Sequence, residues 1–145
     1  MLFLRKGREL KQIIVEGKKN CMISREIRKG IWYVGIWDGI MRGFSGTSYT
    51  PSGLRYNSYL LDTQEGFILI GTMPENFLTQ WLIEMKRIIG EGKIGWMVLL
   101  DSSCDRAAVK ALLQVSSDIV LIGGSNALDV YKRQGLASEQ CVCAE

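Results

Sequence analysis

Trp96-Met97-Val98-Leu99-Leu100-Asp101-Ser102-Ser103-Cys104-Asp105-Arg106 carries the chain out of an unbroken apolar run, through a polar turn and into a second pattern. An apolar run this short, with Trp and Val in it, suits a strand buried on both faces. From Asp105 to Gln114 the positions Val109, Leu112 and Leu113 recur at helical spacing, so a helix is expected there. Beyond it, Ile119–Ile122 reads as another strand, closed by Gly123-Gly124. Upstream, Pro74 and Glu75 open a helix, because Pro fits the first turn and a carboxylate favours the positive end of the helix dipole. Phe77, Leu78, Trp81, Leu82, Met85, Ile88 and Ile89 form its apolar stripe, and Gly90 ends it. The order helix, strand, helix, strand predicts α/β layering.

Further toward the N-terminus the pattern is β. Ile31–Trp37 is rich in β-branched and aromatic residues and apolar on both faces, as a strand between two layers would be. Asp38 to Gly53 is a long glycine-rich loop, and loops of that length in compact domains usually carry function or move. Tyr56–Asp62 and Phe67–Ile70 read as strands joined through Thr63-Gln64-Glu65-Gly66, a hairpin of the longer type. Met1–Gly17 reads as a short basic helix with Leu10, Ile13 and Ile14 on one side, followed by a turn at Gly17–Asn20. The expected organisation is an N-terminal helical extension over 1–22, a partial domain over 23–128 and an irregular tail over 129–145. Within that tail, Asp129–Gln134 resembles adapter-derived sequence at the broken ends of assembled reads, which would make the last stretch foreign to the natural chain.

Composition narrows the function classes. A chain of 145 residues is enough for one domain, and 47% hydrophobic with 23% charged residues is the mix of a globular protein. The net charge of +3 is small and its cations are scattered, which argues against a nucleic-acid partner. No apolar run reaches the ~18 residues that a membrane helix needs, and Met1–Arg5 lacks the layout of a secretory signal. A cytoplasmic protein is expected. Cys21, Cys104, Cys141 and Cys143 fit no zinc ribbon or disulfide framework, and Cys141-Val142-Cys143 is expected to be a loose thiol pair in a frayed tail. Histidine is absent from the chain, which excludes Ser-His-Asp triads and every metal site built on imidazole.

Chemistry is expected at Asp101–Arg106, because ligands of layered α/β proteins gather where strands end at their carboxyl edge. Asp101 and Asp105 together suit a hard cation or an acid–base pair. Alternatively Asp105, or Ser103 ahead of it, simply caps the helix. Cys104 beside Arg106 has no base to make it a nucleophile. Gly123-Gly124-Ser125-Asn126 has neither dinucleotide nor P-loop spacing and reads as a strand–helix turn.

Several segments resemble the flavodiiron (A-type flavoprotein) family. Ile31-Trp32-Tyr33-Val34-Gly35-Ile36-Trp37-Asp38 resembles its opening strand, I-Y-x-V-G-x-x-D. Tyr49–Leu60 resembles T-P-x-G-T-x-Y-N-S-Y-L, and Leu69-Ile70-Gly71-Thr72 stands where the family reads L-I-D-T. The likeness runs roughly from Ile27 to Leu128. It implies half of a metallo-β-lactamase-type αββα sandwich, a mixed sheet with flanking helices, and a chain truncated before the second half and before an FMN domain. Ile94–Leu100 stands in place of the family's I-D-Y-I-V-V-N strand, which the family follows with H-x-E-x-D-H, the first ligands of a di-iron site that reduces oxygen or nitric oxide with electrons from FMN. The matching positions here are Asp101, Ser103, Asp105 and Arg106, and only Asp105 keeps its residue type. Asp101 and Asp105 remain possible weak ligands, while Arg106 puts a permanent cation where a metal would sit. Gly71 also replaces the family's Asp.

The expectation is therefore a metal-free, catalytically silent domain of this fold, needing no cofactor, that acts as a structural or interaction module or as a fragment of a longer pseudo-enzyme. Its open side invites a homodimer or a missing second half-domain. Two other readings stand beside it. One is a flavodiiron-type oxidoreductase or metal-dependent hydrolase with a rearranged carboxylate site at Asp101 and Asp105. The other is a small-molecule binding module using the aromatic stretch Trp37–Tyr59.

Overall fold

The computed structural model describes residues 11–14, 20–39, 43–44, 48–49, 53–100, 106–133 and 141–143. In chain order the strands are β1 (Lys11–Ile14), β2 (Asn20–Arg28), β3 (Ile31–Asp38), β4 (Gly43–Phe44), β5 (Ser48–Tyr49), β6 (Leu54–Thr63), β7 (Gly66–Ile70), β8 (Ile94–Leu99), β9 (Val120–Gly123) and β10 (Cys141–Cys143). The helices are α1 (Leu78–Ile89), entered through a 3-10 turn at Glu75–Phe77, α2 (Arg106–Val115) and α3 (Ser125–Arg133). Eight strands make one mixed sheet in the order β1-β2-β3-β6-β7-β8-β9-β10, while β4 and β5 pair separately. The strands from β1 to β7 pair antiparallel, and β7, β8, β9 and β10 run parallel. This is the expected mixed sheet with flanking helices.

Strand alternation assigns the two faces. Met22, Val34, Ile36, Leu60, Leu69, Met97, Leu99 and Leu121 are buried on one face. Trp81 and Met85 of α1, Val109 and Leu112 of α2 and Leu128 of α3 join them in one core. The residues between them, among them Ile68, Ile70, Trp96, Val98 and Ile122, point to the opposite face and are only half-buried. Burying the α1 stripe dictates what lies beneath it. Ser24, Val34 and Ser58 stand side by side across β2, β3 and β6, and two small residues in that row leave room for the Trp81 indole. Trp81 is fully buried there and donates its Nε1–H to Ser58 Oγ at 2.8 Å.

A second polar link fixes the same helix. Ser24 Oγ donates to Glu84 Oε2 at 2.6 Å, and Arg87 Nη2 donates to that carboxylate oxygen at 2.9 Å. Glu84 is 2% exposed, so its charge needs these partners. Gly90 closes α1 with φ of 61°, its N–H donating to Lys86 O.

Four expectations change. Lys11–Ile14 is a strand rather than a helical turn, pairing with Cys21–Ser24, so the sheet reaches into the extension expected over 1–22. The spacing of Leu10, Ile13 and Ile14 fits either period, and edge pairing of β-branched residues decides it. The rest of that expected helix lies outside the described residues. At the other end, α3 runs to Arg133 with Lys132 and Arg133 at its negative pole, and Cys141–Cys143 adds a parallel strand to β9. The tail 129–145 and its frayed thiol pair are thus partly ordered structure. The β6–β7 hairpin is tighter than expected: Thr63 pairs Gly66, leaving Gln64-Glu65 as a two-residue turn. Glu65 N–H donates to the Thr63 hydroxyl oxygen, and that hydroxyl donates in turn to the Gly66 carbonyl. Finally, β8 spans Ile94–Leu99, and Leu100, expected in the strand, is 66% exposed.

Candidate functional site at the strand ends

The parallel strands β7, β8 and β9 end together, at Ile70, Leu99 and Gly123, which brings the segments after them to one edge of the sheet. β3 runs the same way and brings Asp38 to that edge, where it pairs Leu54 at the start of β6. Asp101, Ser103 and Asp105 belong to the segment after β8 and lie outside the described residues, as does Cys104. Arg106 is described: it is the first residue of α2, and it is exposed. The helix is described over Arg106–Val115, and Asp105, where it was expected to start, lies outside the described residues.

Gly71 follows β7 with φ of 87°, its N–H donating to Val98 O at 3.0 Å. A Cβ at this position would lie 2.9 Å from the Asn57 carbonyl oxygen. Glycine therefore removes both the dihedral and the steric cost that a side chain would bring. Met73 of this loop is buried, as are Phe77 and Asp38, and the Tyr56 ring tilts against Phe77 at 6.0 Å. Burial, and then the Asp38 charge, push the Tyr56 phenol above its ordinary range. The edge is thus floored by aromatic and apolar groups around one buried carboxylate.

Among the described residues, no three His, Cys, Asp or Glu side chains converge. Gly124 and Ser125 form a strand–helix junction, with Leu128 N–H donating to Gly124 O at 3.1 Å as α3 starts. The aromatic stretch Trp37–Tyr59 divides by strand parity. Tyr56 and Ser58 face the helices, whereas Arg55, Asn57 and Tyr59 line the opposite face with Tyr33. That second cluster was missed in the sequence, although the alternation of β6 carries the signal for it. No helix among the described residues is long and apolar enough to cross a membrane.

No protein-family model matches the chain. An anaerobic nitric oxide reductase flavorubredoxin of Klebsiella pneumoniae is 30% identical over 109 residues, covering 74% of this chain and 22% of that protein. A variant of the flavo di-iron protein of Thermotoga maritima superposes with a TM-score of 0.76 at 17% identity, covering 86% of this chain and 32% of the other. A metallo-β-lactamase of Pseudomonas aeruginosa in its mono-zinc form superposes with a TM-score of 0.56 at 16% identity, over 85% and 50% of the two chains. The chain spans less than a quarter of the length of this flavorubredoxin. Across the matched 109 residues, sequence and fold agree: the chain is similar to the N-terminal metallo-β-lactamase-like domain of the flavodiiron proteins.

Proposed function

We propose that this chain is a metal-free, catalytically silent version of that domain, serving as a structural or interaction module. The observation that carries the reading is the absence of histidine from all 145 residues. A di-iron centre does not fit the donors at this edge. Imidazole is unavailable, Ser103 is a poor ligand, and Arg106 brings a fixed cation to the mouth of the segment that holds Asp101 and Asp105.

What the domain offers instead is surface. Over β7, β8 and β9 the face away from the helices presents Ile68, Ile70, Trp96, Val98 and Ile122, all half-buried. A contiguous apolar strip of that kind marks a contact surface, and a second copy of the chain or a further β-layer would cover it. The test is metal stoichiometry after incubation of the purified protein with ferrous iron and, separately, with zinc. A ratio near zero for both is expected. A ratio approaching one or two, lost in Asp101→Ala and Asp105→Ala, overturns the reading and restores a carboxylate-based oxidoreductase or hydrolase. Sedimentation velocity reports whether the apolar strip pairs copies, with Trp96→Lys as the variant that should abolish association.

A further inference from the structure

A helix that links two parallel strands runs back against them, so α1 and α2 both end at the edge where β8 and β9 begin. Gly90-Glu91-Gly92 then turns the chain from α1 toward β8. A Cβ at Gly92 would fall 2.9 Å from Phe67 Cε2 and 3.1 Å from Ile89 O, so the turn lies hard against the start of β7. Between the two helix ends is a cleft of about 420 Å³, of the size that small molecules occupy.

The cleft is apolar along its length. Met85 of α1, Leu112 of α2 and Ile119 ahead of β9 line it and are buried, which makes them its floor. Leu82, Ile89 and Ile94 line it half-buried. Leu82, Met85 and Ile89 recur at helical spacing, so α1 presents them as one wall. Val115 stands at the mouth with 80% exposure, an apolar side chain left to water beside an apolar cleft.

The charge on this cleft has one sign. Lys86 and Lys93 line it, both are exposed, and no carboxylate joins them. Among the described residues neither ammonium group makes an ion pair. Asp118 lies outside the lining; the Ser116 hydroxyl donates to it at 3.0 Å and, ahead of the weaker pull of Lys93, holds its carboxyl below the ordinary range. Two helix C-termini would by themselves favour a cation. Here their end carbonyls are engaged: Gly90 N–H donates to Lys86 O, Gly92 N–H to Ile89 O and Ser116 N–H to Leu112 O.

We propose that this cleft binds a single-chain fatty acid of medium length, its acyl chain over Met85, Leu112 and Ile119 and its carboxylate between Lys86 and Lys93. The apolar floor and walls reward each methylene removed from water, and the two ammonium groups select the sign of the head. The helices are the outer layer of this fold, so a further β-layer on the opposite sheet face leaves the cleft as it is. The site is also remote in sequence from Asp101–Arg106 and goes beyond the proposed function, whichever way metal binding turns out.

The test is an ¹⁵N NMR titration of the full chain with decanoate, below its micelle-forming range, read at the Gly92 and Ser116 backbone amides. Saturable shifts at both are expected. From hexanoate through octanoate to decanoate, affinity should rise by about 2- to 4-fold per added methylene. Lys86→Ala and Lys93→Ala should each weaken binding by about 2- to 5-fold, the range of an exposed ion pair, and the affinity should fall as salt rises. Decyltrimethylammonium, the same chain under a positive head, should bind at least about 5-fold more weakly than decanoate at low salt. Val115→Glu, at an exposed position, should leave the fold intact and abolish saturable binding. Unshifted Gly92 and Ser116 amides overturn the proposal, as does a chain-length series without a trend. Equal binding of the two heads, or unchanged affinity in both lysine variants, overturns the role of the lysines and the choice of ligand with it. Binding to phosphatidylglycerol vesicles without binding to decanoate would also overturn it and make the cleft a membrane contact.

Discussion

Trp81 and Ser58 form the joint between the helical layer and the sheet: the indole N–H donates to the serine hydroxyl at 2.8 Å, and that hydroxyl donates in turn to Val34 O at 2.6 Å. Every polar group in the chain of three is satisfied, and all three residues are fully buried. Ser58 belongs to the Tyr56-Asn57-Ser58-Tyr59-Leu60 segment that resembles the flavodiiron family, and the joint gives its hydroxyl a physical task.

Removing that hydroxyl strands a buried donor. Ser58→Ala should destabilise the fold by about 1–3 kcal/mol, measured by urea unfolding. Trp81→Phe should cost less in the Ser58→Ala background than in the wild type, because the shared bond is already gone. Additive losses would show that the bond carries no coupling.

Arg87 covers the buried Glu84 carboxylate from the solvent side, with 42% of its own side chain exposed. Arg87→Ala leaves that charge with the Ser24 hydroxyl donating to it from β2, so a loss of about 1–3 kcal/mol is expected, discounted from the fully buried case for solvent access. Adding Glu84→Gln should recover part of it, since a neutral amide needs no cation. Denaturant midpoints of the single and double variants check both statements.

Gly71 has a left-handed φ and a backbone oxygen where a side chain would begin. Gly71→Ala should cost about 1–3 kcal/mol in thermal or urea unfolding. A neutral result would mean that the loop after β7 relocates freely, which would also release the Gly71–Val98 hydrogen bond from its role at the site edge.

Burial raises Tyr33 and Tyr56 above the usual phenol value of 10.0. Folding therefore favours the neutral phenols. Their contribution is fully present below pH 10.0 and is lost as pH rises through the folded values. Absorbance titration of tyrosinate should show two late-ionising groups, and the unfolding midpoint should fall as pH rises above 10.0. Tyr56→Phe should flatten that fall.

The α/β core was legible where periodicity was long. The stripe from Phe77 to Ile89 buries Phe77, Trp81 and Met85 as its spacing demands, and Gly90 stops the helix. Short segments were less legible. Leu10, Ile13 and Ile14 fit a helix as well as a strand, and only pairing with β2 distinguishes them. The tail was misjudged at Asp129–Arg133, where polar residues complete a helix whose buried anchors, Ala127 and Leu128, come earlier. At the site, sequence alone carried the missing histidines and the substitution at Gly71. It did not carry the cluster of Tyr33 with Asn57 and Tyr59, because those residues meet only through the register of β3 and β6.

The sheet also has a guarded perimeter. β1 and β10, close to the two ends of the chain, form its two rims and occupy the pairing edges of β2 and β9. Clipping residues 1–19 or 134–145 would bare a nine-residue strand on one side or the parallel β9 on the other. Unpaired rims of that kind recruit other chains. Protease-trimmed preparations should therefore precipitate or form strand-linked oligomers sooner than intact ones, even with every core residue in place.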